Sequence, residues 1–149
     1  MMNIKFRAKA LEPVSGFCNK GDWVYGALAP GNAPTANTYI TGGIVEAGED
    51  YIIPDFWVPV DKETIGQGIN REDKKGNEIY EGDIVRCFSL EEGEEIIGVV
   101  QYSVASSCFV VLGRKVNGDM NRFVLTMRQC WNVRCIGNIY DNSELLEVS

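Results

Sequence analysis

Apolar and polar residues alternate at the start of the chain with the period of two that is typical of β-strands. Residues 4–10 read Ile-Lys-Phe-Arg-Ala-Lys-Ala, which places every apolar side chain on one face and every basic side chain on the other. This pattern predicts a strand with one buried face. Two further apolar segments, 23–28 and 38–40, flank a loop rich in proline, glycine and alanine, and together they predict a long-looped hairpin.

The second half of the chain has a more regular pattern of short apolar segments separated by polar turns. Asn117-Gly118 is a residue pair that favours a tight hairpin turn, and Gly98, in mid-strand, predicts a bulge or a sharp bend. Short, bent strands of this kind predict a small β-barrel, because closure removes exposed strand edges. The five predicted strands are Ile84–Phe88, Glu95–Ser103, Cys108–Gly113, Arg122–Met127 and Asn132–Tyr140.

Helix signals are confined to the last residues of the chain. Asp141-Asn142-Ser143 supplies candidate capping side chains, and Glu144-Leu145-Leu146 supplies an acid and two leucines that we expect to dock on the core. A short C-terminal helical turn is therefore predicted. The best candidate for a division between lobes is Gly66-Gln67-Gly68, which predicts an N-terminal β lobe over residues 1–66 and a C-terminal barrel over residues 67–149.

Composition supports a globular chain with its own core. Of the 149 residues, 45% are hydrophobic, which is enough to bury a core. The chain has no apolar run near the ~20 residues that a membrane-spanning helix needs, and its first residues lack the apolar region of a secretory signal. These features predict a cytoplasmic protein without a membrane partner.

Cysteine usage and the lack of histidine limit the chemistry that the chain offers. The five cysteines, at positions 18, 87, 108, 130 and 135, are odd in number and irregularly spaced, and we expect free thiols that pack as small apolar side chains. Without histidine, a mixed zinc site is not available, and nucleophilic catalysis lacks its commonest base. We predict no metal, no cofactor and no enzymatic activity.

Charge is unevenly distributed along the chain. The net charge is −7, and acids dominate the middle of the sequence. A locally basic stretch follows, and it is the candidate binding surface; it contains Arg114, Lys115, Arg122, Arg128 and Arg134. Because the whole molecule is acidic, a phosphate backbone would be repelled unless this patch were well isolated, so a solvated face is favoured over a nucleic-acid site.

The turn at Glu81-Gly82-Asp83 clusters acids with Glu78, but a structural role explains it better than a site. We expect Gly82 to adopt a positive φ and Asp83 to accept backbone N–H groups at the turn that begins the next strand. The aromatic residues of the N-terminal half either line a groove or fill a thin core, and the core is favoured because small sheets need large side chains. They are Trp23, Tyr25, Tyr39, Tyr51, Phe56 and Trp57.

Three stretches lie in order along nearly the whole chain: 4–8 with 21–26, 64–67 with 73–85, and 136–146. They resemble the YopX-like family of phage and prophage proteins. The resemblance implies an irregular β region followed by a Src-homology-3-like barrel, and it implies no catalytic residues. One departure is that residues 68–73 read Gly-Ile-Asn-Arg-Glu-Asp, where the family commonly has Tyr-Thr-Gly-Leu-Lys-Asp.

The function that the sequence predicts is that of a non-enzymatic accessory protein of a phage or prophage, acting as an interaction module with an unknown protein partner. The first alternative is a small-barrel protein that binds single-stranded nucleic acid through aromatic and basic faces. The second is an enzyme that uses carboxylates, which would require a polar cleft.

Overall fold

The structure is a computed structural model that describes residues 3–91, 93–117 and 121–147. It is mainly β, as predicted, with 55% of residues in strands and 7% in helical turns. The sheets are antiparallel. The chain divides into two units, Met1–Gly68 and Ile69–Ser149.

In the first unit, strands pair in the order β6-β3-β2-β1-β7, and β4 and β5 form a separate two-stranded sheet. The pairing of β2 with β3 confirms the predicted long-looped hairpin. A short 3-10 turn covers Lys62–Thr64. The strands are β1 (Phe6–Lys9), β2 (Trp23–Ala29), β3 (Thr38–Thr41), β4 (Ile44–Ala47), β5 (Ile52–Pro54), β6 (Trp57–Val60) and β7 (Gly66–Glu72), the last of which contains the boundary between the units.

Small aliphatic side chains build the core of the first unit. In β1, Ala8 belongs to this core, whereas its neighbour Arg7, which is also buried, lies over the Trp23 ring. The buried cluster consists of Ala8, Ala10, Val24, Ile40, Val58 and Val60.

In the second unit, the last residues of β7 are followed by β8, and five strands form one sheet in the order β12-β11-β10-β9-β13. Each of the five strands predicted from sequence is present, with bounds that differ by a few residues. The strands are β8 (Glu78–Tyr80), β9 (Asp83–Ser89), β10 (Glu95–Ser103), β11 (Cys108–Lys115), β12 (Arg122–Thr126) and β13 (Cys130–Asn138).

The five-stranded sheet is not closed into a barrel, so the Src-homology-3-like barrel is not confirmed. Closure requires the two edge strands to pair with each other. Here β12 and β13 are the edges, and a 3-10 turn at Met127–Gln129 carries the chain from one edge to the other, where β13 pairs with β9. The sheet is therefore open, with β12 and β13 as its two edge strands in the described part of the chain.

Two local predictions in the second unit are not confirmed. Gly98 forms no bulge, because β10 pairs with β9 and β11 through this residue without a shift in register. The C-terminal residues form a 3-10 turn, Ser143–Leu146, and the side chain of Asn142 does not cap it; its Oδ1 accepts the backbone N–H of Asn138 at 3.2 Å instead. The predicted Asn117-Gly118 turn lies partly outside the described residues.

The turn before β9 has the geometry predicted from sequence. Gly82 has a φ of 89°, and the carboxylate Oδ2 of Asp83 accepts the backbone N–H of Tyr80 at 2.8 Å. Asp83 is buried in this role. Asp83 therefore serves the turn, as predicted.

We expect Gly82→Val to lower the free energy of unfolding by ~1–3 kcal/mol, because a β-branched side chain is strained at positive φ. Denaturant unfolding measures the loss. Gly43→Val is the control, since a Cβ at Gly43 meets no atom within 4 Å and its φ is not in the left-handed region. Equal unfolding midpoints for the two variants would contradict the predicted backbone strain at residue 82.

Candidate functional site

The predicted basic surface is only partly assembled. Arg114 in β11 lies directly opposite Arg122 in β12, so their side chains share one face of the sheet. Lys115 follows Arg114 in the strand and points to the other face, where its Nζ lies 2.9 Å from the Glu94 carboxylate. The structure therefore brings Arg114 and Arg122 together and turns Lys115 away from them.

Of the remaining two basic residues, Arg134 lies on the same face of the sheet as Arg114 and Arg122 but at the opposite edge, and Arg128 lies in the turn after β12. Arg134 in β13 lies opposite Arg86 in β9, and both guanidinium groups contact one Glu95 oxygen, at 3.0 Å and 2.8 Å. Glu95 thus offsets one of two positive charges there. Arg128 is exposed in the turn after β12 and lines a mainly apolar cavity of about 420 Å³.

Arg114 also holds the C-terminal turn. Its Nη2 donates to the backbone carbonyls of Leu146 at 3.5 Å and Glu147 at 3.3 Å. Leu145 and Leu146 are half-buried. This arginine therefore has a structural role that the local sequence does not indicate.

Truncation after Asn142 is expected to lower the free energy of unfolding by ~1–3 kcal/mol, through the lost burial of two leucines and the lost hydrogen bonds of Arg114. Chemical denaturation of the full and shortened chains measures the effect. Exchanging both leucines for alanine in the full chain separates burial from hydrogen bonding. An unchanged midpoint for the truncated chain would show that the turn contributes nothing to stability.

Two cysteines of the second unit form a buried pair. Cys87 and Cys130 belong to its core, and their thiols hydrogen-bond to each other. This hydrogen bond and burial raise the pKa of Cys87, whereas the same hydrogen bond and the nearby charge of Arg71 lower the pKa of Cys130. Arg71 donates to the backbone carbonyls of Cys130, at 2.9 Å, and Met127. Sequence reasoning missed Arg71, since nothing in its local pattern distinguishes it.

The aromatic residues of the first unit do not fill its core, so that interpretation is wrong. Trp57 is 56% exposed, Tyr25 50% and Tyr51 51%. In β3 and β6 the buried positions are Thr38, Ile40, Val58 and Val60, and the alternate positions place aromatic rings on the outer face. Of the six aromatic residues, Phe56 is partly buried and packs against the aliphatic interior.

Several of these rings surround a cavity of about 530 Å³, which we call the aromatic pocket. Tyr39 lies opposite Pro59, and Trp57 is two residues before Pro59 on the same strand, so the three share one face. Phe17 reaches the pocket from the loop after β1. The lining residues are Glu12, Val14, Ser15, Phe17, Asn37, Tyr39, Asp55, Phe56, Trp57 and Pro59.

The rings and carboxylates of the aromatic pocket are arranged on local turns. Phe17 stacks on Phe56 with ring centroids 4.7 Å apart and an interplanar angle of 26°. The turn that presents Phe17 is closed by backbone hydrogen bonds from Phe17 and Cys18 to the Val14 carbonyl. The charged lining residues, Glu12 and Asp55, are both acidic and exposed.

Comparison with known families identifies the chain's relatives. The model of the YopX protein family matches residues 37–147. The chain belongs to the YopX family. A search of curated proteins found no match.

The family match includes most of the aromatic pocket, because Asn37, Tyr39 and 55–59 lie inside it. Two of the three stretches that resemble the family in sequence also lie inside it, and the N-terminal one lies before it. Asn70, which stands at the glycine of the common family pattern, has a φ of 62°. Asparagine tolerates this left-handed conformation, as glycine does.

Among the described residues, no helix has the length and apolarity to cross a membrane. The same part of the chain contains no group of three or more histidine, cysteine or carboxylate residues arranged to hold a metal ion.

Proposed function

We propose that this YopX-family chain is a non-enzymatic interaction protein, encoded by a phage or prophage and acting in the cytoplasm. Its partner is a protein that binds at the aromatic pocket. The observation that carries this proposal is the set of aromatic rings around that pocket, of which Trp57 and Phe17 are more than half exposed. Exposed apolar patches rimmed by polar groups are typical of protein-binding surfaces, and tryptophan and tyrosine are enriched among the residues that dominate binding.

An interaction role accounts for the pocket better than catalysis does. General acid–base chemistry uses carboxyl groups held in buried or closely paired settings. Glu12 and Asp55 are exposed to solvent. They are suited to the polar rim of a binding surface.

The experiment is a comparison of protein baits in extracts of a host that carries the element. We expect the wild-type chain and the Tyr25→Ala control to capture the same protein, and Trp57→Ala to lose it. Tyr25 is exposed in the same unit but does not line the pocket, so it controls for general loss of aromatic surface. Binding of the captured protein is then measured with purified components. Equal capture by all three baits would overturn the proposal.

Binding of single-stranded nucleic acid is a second candidate, favoured by one face of the five-stranded sheet. Trp131, which is 49% exposed, lies 5.2 Å from the ring of Phe88, and this ring pair shares its face with Arg114 and Arg122. Stacking platforms beside basic residues are the usual means of holding single strands. Anisotropy with a labelled oligonucleotide tests it: Arg122→Gln and Trp131→Ala should each weaken binding, and binding that neither variant alters would exclude this face.

A further inference from the structure

We propose that the aromatic pocket recognises a cationic side chain, arginine or lysine, that projects from the partner protein. This inference rests on the proposed function and adds the chemistry of the ligand to it. It is carried by three features of the first unit: the rings, the charges beside them, and the way that another ring in the same unit already binds cations.

The rings supply the first part of the argument. The face of an aromatic ring carries a negative quadrupole, which attracts an ammonium or guanidinium group placed over it. Tyr39 and Trp57 lie on the outer face of the sheet, and Phe17 and Phe56 form a stacked pair beside them. A side chain entering this pocket meets aromatic surfaces from two elements.

The charges decide which ligand these surfaces favour. Among the described residues, Glu12 and Asp55 line the pocket, and no lysine or arginine does. An anionic ligand would be repelled, and a neutral apolar one would remove water from two carboxylates without replacing their hydrogen bonds. A guanidinium or ammonium group pairs with the carboxylates and also lies over the rings, so it satisfies both.

The first unit already contains the same kind of contact between its own residues. The guanidinium carbon of Arg7 lies 4.7 Å from the ring centroid of Trp23, and Nζ of Lys9 lies 5.5 Å from it. Trp23 is therefore covered by cations of its own chain. The aromatic pocket has comparable rings, but its charged lining residues are acids. A cation that lies over these rings would therefore come from a partner protein.

The openness of the pocket favours a side chain of a protein over a free small cation. Its volume of about 530 Å³ exceeds what one ammonium group occupies, and Trp57 and Phe17 remain more than half exposed around it. Small-molecule sites enclose most of the ligand surface. A broad, shallow pocket suits a long side chain together with part of the backbone that carries it.

The test uses short capped peptides, Gly-Arg-Gly and Gly-Lys-Gly, titrated into the full chain and followed by NMR at the Trp57 indole. The citrulline peptide has the shape of the arginine peptide without its charge, and tetramethylammonium represents a free cation. We expect the arginine or lysine peptide to bind roughly fivefold to tenfold more tightly than the citrulline peptide, as lost ring and carboxylate contacts predict. Equal binding of the arginine, lysine and citrulline peptides would overturn the inference.

Matched variants separate a local effect from the net charge of the chain. Glu12→Gln with Asp55→Asn should weaken binding of the cationic peptides several-fold, whereas Glu46→Gln with Glu49→Gln makes the same change in charge outside the pocket and should leave it unchanged. Equal losses in both pairs would show non-specific attraction and overturn the inference. So would tighter binding of tetramethylammonium than of either peptide.

Failure of this inference is distinguishable from failure of the proposed function. If capture of the partner depends on Trp57 but neither cationic peptide shifts the Trp57 resonance, the partner binds there by other chemistry. In that case only the proposal of a cationic ligand is wrong. If capture is also independent of Trp57, both proposals are wrong.

Discussion

Gly98→Val is expected to lower the free energy of unfolding by ~3 kcal/mol or more, which for a chain of marginal stability approaches loss of the fold. Gly98 lies opposite Gly113 in the neighbouring strand. A Cβ at Gly98 would lie 2.6 Å from the Leu112 carbonyl oxygen and 2.7 Å from the Gly113 Cα. These are backbone atoms of a paired strand, so relief would require the β10–β11 ladder to separate.

Two smaller substitutions make this prediction specific. Gly98→Ala carries the same clashing atom without the branch, and we expect it to cost ~1–3 kcal/mol. Gly43→Ala, in open space, should change stability by less than about 0.5 kcal/mol. Urea unfolding followed by tryptophan fluorescence gives all three values. A Gly98→Ala protein that unfolds at the wild-type midpoint would show that the strands do not approach so closely.

Asp73→Ala is expected to lower the free energy of unfolding by ~2–4 kcal/mol, because it removes a buried carboxylate that accepts several backbone hydrogen bonds at once. Asp73 is buried, and its Oδ1 accepts the N–H groups of Lys75 at 2.9 Å and Asn77 at 3.0 Å. Its Oδ2 accepts the N–H of Cys135 at 3.3 Å. One carboxylate thus shapes the turn before β8 and binds that turn to β13.

The contribution of Asp73 to the free energy of unfolding should decrease at acidic pH. Burial raises the pKa of its carboxyl group, but hydrogen bonds from Asn77, Cys135 and Lys75, with the charge of Lys75, outweigh burial and lower the pKa below its usual value. A group whose pKa is lower in the folded state stabilises the protein above its unfolded pKa, about 3.9, and loses that contribution as pH falls through the folded value.

The pH dependence is measured as the difference in stability between the wild type and Asp73→Asn. We expect this difference to be constant near neutral pH and to shrink below about pH 4. Glu72→Gln, an exposed neighbour of Asp73, is the matched control and should show no such trend. A difference that stays constant down to the acid transition would refute the assigned role of the carboxylate.

The aromatic residues were wrongly predicted to lie in the core, because amino-acid composition does not reveal which face of a sheet a ring occupies. Counting rings in a short chain favoured a core, since large side chains bury more area. The strand pattern carries better information, because Ile40, Val58 and Val60 alternate with Tyr39, Trp57 and Pro59, and only one of these sets can face inward. Which set faces inward depends on how β3 and β6 pair with the rest of their sheet, and the local pattern contains both possibilities.

The sequence by itself determined the strand content, the five strands of the second unit, the positive φ of Gly82, the turn role of Asp83 and the family resemblance. These features depend on period-two alternation and on turn residues with local conformational preferences. Tertiary structure alone decided that the five-stranded sheet stays open, that Arg114 binds the C-terminal turn, that Asp73 binds a strand 62 residues away, and that loop and strand residues meet at the aromatic pocket. The physical reason is that each of these contacts joins residues distant in sequence, and their energies depend on the pairing of whole strands.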